Sequence, residues 1–127
     1  MRWIVAIAAW LLLSGGTARA EPVEACKSSP KLVGACFTVH GRLRAWNGTP
    51  TFRIHPAGTK RVIGVEAPGG DPENSLPPAL EALVMPDAFQ VDVDGDFLLC
   101  PFTADRPGHM RIACIADSSG LSVHRHQ

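Results

Sequence analysis

A chain of 127 residues, 46% apolar and 19% charged, with a formal net charge of zero, has the make-up of one folded globular domain. That balance excludes a collagen-like or low-complexity chain, a multi-pass membrane protein and an overall basic nucleic-acid binder. The first element is an export signal. Arg2 is followed by an apolar run from Trp3 to Leu13, then by Ser14-Gly15-Gly16 and the small-x-small end Ala18-Arg19-Ala20. The run is shorter than the ~20 residues a membrane-spanning helix needs, so cleavage after Ala20 and release to the periplasm or the medium are expected. Cys26 lies too far beyond Leu13 to be a lipid-attachment site, and no later stretch could span a bilayer.

Residues 21–35 carry prolines, serines and lysines without periodicity and read as an extended lead-in. From Cys36 to Arg44 the pattern is strict alternation, with Phe37, Val39, Gly41 and Leu43 on one side and Thr38, His40, Arg42 and Arg44 on the other. This is a half-buried strand that can bend at Gly41. Asn47-Gly48 marks a turn, and Thr51–His55 is a second strand with Phe52 and Ile54 inward. Pro56-Ala57-Gly58 turns the chain into a third strand over Lys60–Val65. Ala67–Asn74 is a loop. Ser75 then caps a short helix with prolines in its first turn, an apolar stripe of Leu76, Leu80, Leu83 and Val84, and an end at Pro86. Phe89, Val91 and Val93 alternate with Gln90, Asp92 and Asp94 in a fourth strand that continues past Gly95 or turns there. Met110–Ala116 makes a fifth, Leu121–His124 is a candidate sixth, and residues 125–127 are a tail.

The order over residues 36–124 is strand, strand, strand, helix, strand, strand. It predicts an all-β domain with one short helix, a five-stranded OB-like Greek-key barrel stabilised by disulfides. The alternative is an irregular β-sandwich. Cys26, Cys36, Cys100 and Cys114 are an even set in an oxidising compartment, and no C-x-x-C pair points to zinc. Three pairings are open. A hairpin folded about Pro107 sets Cys100 opposite Cys114, which favours that bond at roughly 3 kcal/mol and leaves Cys26–Cys36 by elimination.

The run Cys36-Phe37-Thr38-Val39-His40-Gly41-Arg42-Leu43 is followed by Asn47-Gly48-Thr49-Pro50 and Arg53-Ile54. Gly58-Thr59, Arg61, Gly64-Val65, Asp96-Phe97, Cys100-Pro101, Pro107-Gly108, Met110 and Cys114 continue the pattern. Together they resemble short exported bacterial proteins of unassigned function. The resemblance covers residues 36–116; it implies location and fold, and brings no catalytic residues with it.

The charges are divided along the chain. Between Cys26 and Val65 stand Lys27, Lys31, Arg42, Arg44, Arg53, Lys60 and Arg61 without an acid, whereas Glu66 to Asp105 holds only acids. If the first two strands fold symmetrically about Asn47-Gly48, Arg42 faces Arg53 and His40 faces His55 on the outer surface. Like charges so opposed need an offset. The weightier reading is internal, with Asp92 and Asp94 on a neighbouring strand neutralising Arg42 and Arg44. The other is a bound anion on a surface made by His40, Arg42, Arg44, Trp46, Arg53 and His55.

Other motifs carry less. His40, His55 and His124 or His126 have no metal-ligand spacing, so no metal or other cofactor is implied. Asp92-x-Asp94-Gly95-Asp96 fails as a calcium loop, because Pro101 stands where a bidentate Glu is required. Asn47-Gly48-Thr49 fits a glycosylation triplet, weakened by Pro50 and by the bacterial resemblance. There is no G-x-S-x-G, H-E-x-x-H or phosphate-loop pattern, so no enzyme is predicted. Nucleic acid is not expected as a partner either, since Phe37 and Phe52 point inward and only Trp46 is placed to stack a base. The expectation is an exported β-barrel binding module for an anionic ligand. An inhibitor or interaction module acting on an envelope protein, or an enzyme with an unrecognised site, are the alternatives.

Overall fold

The computed structural model describes residues 22–126, so the expected export signal, Glu21 and Gln127 lie outside the described residues. The elements in chain order are α1 (Pro22–Lys27), β1 (Phe37–Ala45), β2 (Phe52–Pro56), β3 (Ile63–Val65), α2 (Pro78–Val84), a 3-10 turn (Ala88–Gln90), β4 (Val91–Pro101) and β5 (Arg111–Arg125). The strands close into a ring in the order β1-β2-β3-β5-β4, with β4 returning to β1. The β3–β5 pair is parallel and the other pairs are antiparallel. The mostly β architecture expected from the sequence is therefore present, with its strand–helix order. The ring is not a regular barrel, because β3 has three residues and the β4–β5 ladder shifts register twice. No described helix is long and apolar enough to cross a membrane.

β1 is shared between neighbours. Its residues 37–43 pair with β4 and residues 41–45 with β2, and the handover begins at Gly41. A Cβ there would run into the His55 carbonyl, so only glycine lets the two backbones approach so closely. The alternating side chains of β1 and β2 send Leu43, Phe52 and Ile54 inward to meet Val65, Val93, Phe97, Leu99 and Ile115. α2 lays Leu80 and Val84 into the same core.

A second apolar cluster lies on the other face of the β4–β5 pair. Cys26, Cys100, Cys114 and Ala116 are fully buried there, with Leu32, Cys36, Leu98 and Phe102 packed against them. Both faces of this part of the sheet are thus covered, which is why Phe97–Pro101 and Ile112–Ala116 read as apolar runs without alternation. Residues 26–36 supply the outer cover.

Several expectations are corrected. The lead-in is not simply extended: it begins with α1, and Val33 N–H donates to the Pro101 carbonyl at 2.9 Å. Ser75 is not a cap. Its hydroxyl is buried with no partner, and Pro77 takes the N-cap position with no side-chain capping bond. Leu83 is exposed, so the helix stripe is Leu80 and Val84 with Leu76 half-buried beside them. Phe89 lies in the 3-10 turn and is 53% exposed, and β4 starts at Val91. β4 runs straight past Gly95. The candidate sixth strand is the end of β5, because the strand carries on through a bulge at Gly120-Leu121, opposite Gly95, in which Gly120 takes φ +60°. The tail starts later than expected, since Arg125 closes β5 and His126 N–H donates to the Gln90 carbonyl at 2.8 Å.

The cysteine pairing is also corrected. The bonds are Cys26–Cys114 and Cys36–Cys100. The hairpin register expected about Pro107 does hold, and Cys100 faces Cys114 across β4–β5. Cys100 has a neighbour on its other side as well. Phe37 pairs with Leu99, so Cys36, one step earlier, comes opposite Cys100 and takes it. Cys114 is then bridged from above by α1. These two disulfides indicate a non-reducing, exported environment.

Candidate functional site

The outward side chains of β1, β4 and β5 form a charge ladder. β4 contributes Asp92, Asp94 and Asp96; Asp94 and Asp96 stand opposite Arg42 and His40 of β1, and Asp92 lies one step beyond the Leu43–Val93 pair. Arg42 donates through Nε and Nη2 to Asp94 at 2.7 and 2.9 Å, and Arg44 donates through the same two atoms to Asp92 at 3.0 and 2.7 Å. Both are two-bonded forks, the geometry in which guanidinium and carboxylate interact best. His40 Nδ1 lies 2.9 Å from Asp96 Oδ1. From β5's side, His124 Nε2 approaches Asp94 Oδ2 at 3.0 Å and His126 Nε2 approaches Asp92 Oδ1 at 2.9 Å.

Asp92 is the anchor of this network. Its side chain is only 2% exposed. Burial alone would raise its pKa, but the hydrogen bonds and charges of Arg44 and His126 outweigh that and hold it at about 2. Asp94 is lowered chiefly by its hydrogen bond from Arg42, against a smaller desolvation effect. The guanidinium groups respond in kind, Arg42 raised by Asp94 and Arg44 by Asp92. Arg42 and Arg44 are therefore neutralised inside the fold, as the weightier of the two sequence readings holds.

The β1–β2 side differs. The expected facing of Arg42 with Arg53 and of His40 with His55 is corrected by two residues: Arg42 pairs with His55, and Arg44 with Arg53. The connection spans Trp46–Thr51, closed by Trp46 N–H donating to the Thr51 carbonyl at 2.7 Å, and is not a tight turn on Asn47-Gly48. The Arg44–Arg53 opposition is relieved because the two side chains part. Arg44 turns to Asp92, and Arg53 folds back so that Nε donates to the Pro50 carbonyl at 3.1 Å. Its guanidinium carbon lies 5.8 Å from the Trp46 ring centroid, and the His55 ring lies 5.8 Å from the same indole. Trp46 is 36% exposed.

Of the six candidate residues, Trp46, Arg53 and His55 thus form one cluster, while Arg42, Arg44 and His40 belong to the ladder. A groove of about 300 Å³ lined by His40, Gly41, Arg42, His55, Ala57 and Asp94 joins the two. The imidazoles do not converge as metal ligands. Among the described residues, the only grouping of such side chains is Cys26, Cys100 and Cys114, whose sulfurs are all engaged in disulfides. Sequence reasoning missed the part His126 plays in the ladder, although it stands two residues after His124, just past the end of β5, the spacing that sets side chains on one side of an extended chain. Comparison of the chain with protein-family models, characterised proteins and solved structures finds no match.

Proposed function

We propose that the protein is an exported binding module of OB-like topology that seats an anionic ligand against Trp46, Arg53 and His55. One observation carries this reading. Among the described residues of the outer β1–β2 face, Arg53 is the arginine without a carboxylate partner, and it lies beside an exposed indole. An arginine with unspent donors can take a carboxylate or phosphate, a charge-assisted bond worth roughly 1.5–3 kcal/mol. Trp46 adds a flat apolar surface for a ring or chain attached to the anion. His55, whose ring lies against the same indole, contributes further hydrogen-bonding nitrogens. Binding requires no change in the fold.

Export is supported by the oxidation of all four cysteines, and the reading takes residues 1–20 as the signal, cleaved after Ala20. Terminal sequencing of the secreted protein tests that step. The binding reading is tested by thermal-shift screening against inorganic phosphate, sulfate and acidic oligosaccharides. At least one should raise the Tm of the wild type and leave Arg53→Ala unmoved. A second reading, an interaction module for an envelope protein, is favoured by the exposed Leu83, Met85 and Phe89 between α2 and the 3-10 turn.

A further inference from the structure

The two disulfides are neighbours. Cys100 and Cys114 face each other across β4–β5, and the sulfurs of Cys26, Cys100 and Cys114 all lie within 4.8 Å of one another. Cys114 Sγ is also 3.7 Å from the carbonyl oxygen of Cys100. Burial separates the four sulfurs by access. Cys26, Cys100 and Cys114 are at 0% exposure, and Cys36 alone is half-buried at the border of the cluster. A thiol arriving from solvent therefore meets Cys36 first.

We propose that Cys36 is a thiol-reactive site, the entry point of a disulfide relay that ends by releasing Cys26 from β5. In the first step an external low-molecular-weight thiolate attacks Cys36 Sγ. The new bond joins that thiol to Cys36, the Cys36–Cys100 bond breaks, and its electron pair leaves on Cys100 as thiolate. That thiolate is confined in an apolar cluster beside one other disulfide. In the second step it attacks Cys114, forming Cys100–Cys114 and expelling the Cys26 thiolate. In the third, Cys26 attacks the Cys36 adduct, forming Cys26–Cys36 and returning the external thiolate. Electrons balance without net oxidation or reduction, and the thiol acts as a catalyst. The strand register already favours the product, because Cys100 and Cys114 are a directly opposed pair. The consequence is structural: α1 and residues 28–35, tied to β5 through Cys26–Cys114, are no longer bonded to it.

The experiment is a time course of the fully oxidised protein with substoichiometric glutathione under anaerobic, mildly alkaline conditions. Samples are quenched in acid, alkylated and mapped without reduction. Trypsin cuts after Lys27 and Lys31 between the first two cysteines and after Arg111 between the last two, so every pairing gives a distinct linked peptide. The relay predicts a glutathione adduct on Cys36 first, then an alkylatable Cys26, then linked Cys26–Cys36 and Cys100–Cys114 peptides. An adduct that forms first on Cys26 or Cys114 would overturn it. So would a Cys36 adduct with Cys100 alkylated and Cys26–Cys114 intact. The variant Cys36→Ser gives an independent reading, since it leaves Cys100 without its partner from the start. Its free thiol should be found mainly on Cys26, with Cys100 linked to Cys114; a thiol that stays on Cys100 contradicts the proposal.

Discussion

The outer face of the ring presents the same residue types in two arrangements. On the β1–β4–β5 side, every basic side chain of β1 has an aspartate in reach: Arg42 holds Asp94, Arg44 holds Asp92 and His40 meets Asp96. On the β1–β2 side, Arg53 and His55 form no ion pair among the described residues and gather around Trp46 instead. The difference divides a surface that residue types alone would treat as uniformly basic. Arginines matched by aspartates hold strands together. An arginine that leans on a backbone carbonyl and an indole keeps donors for something else.

The sharpest way to break this contrast is at Arg44. Its removal leaves the buried Asp92 carboxylate to His126 and to Arg42, whose Nη1 is 3.6 Å away. Stripping a buried charge of its main partner costs about 3 kcal/mol, so Arg44→Ala should lower the urea midpoint markedly with an unchanged m value. Acid gives the next largest effect. Asp92 titrates lower in the folded chain than its ordinary value of 3.8, at about 2. The unfolded chain therefore takes up its proton first as pH falls. The stabilisation, about 2 kcal/mol, is complete above pH ~4 and is lost as pH falls toward 2, which denaturant melts across that window will register. Asp92→Asn should flatten the dependence. Arg42→Ala comes third. Its pair with Asp94 is open to solvent, and such bridges contribute about 1 kcal/mol or less. Arg53→Ala should change stability least of all, within about 0.5 kcal/mol, and a large loss there would mean that Arg53 serves the fold after all.

Much of the ladder was legible before the fold. Arg42-x-Arg44 and Asp92-x-Asp94 alternate with buried apolar residues, so each pair had to face outward, and adjacency of the two strands brings them together. The β1–β2 register was not legible, because Asn47-Gly48 suggests a tight turn while the closing hydrogen bond lies at Trp46 and Thr51. The disulfides escaped for a related reason. Opposition across the hairpin names one neighbour of Cys100, whereas a strand inside a closed ring has two, and the second came from the β1–β4 register. Residues 26–36 hid their role because Cys26, Leu32 and Cys36 are spread among polar residues, too sparse to show a period. The length of β5 was concealed by Ser118-Ser119-Gly120, which reads as a turn, whereas the two serines pair with β4 and the chain bulges only at Gly120-Leu121.

The assignment of Arg53 to ligand and of Arg42 and Arg44 to structure is tested most directly by the anion-dependent Tm of wild type and Arg53→Ala measured side by side. The account predicts equal Tm values without ligand, an increase for the wild type with phosphate, sulfate or an acidic oligosaccharide, and no increase for the variant. A wild type indifferent to every anion, or an increase that survives in Arg53→Ala, would contradict it.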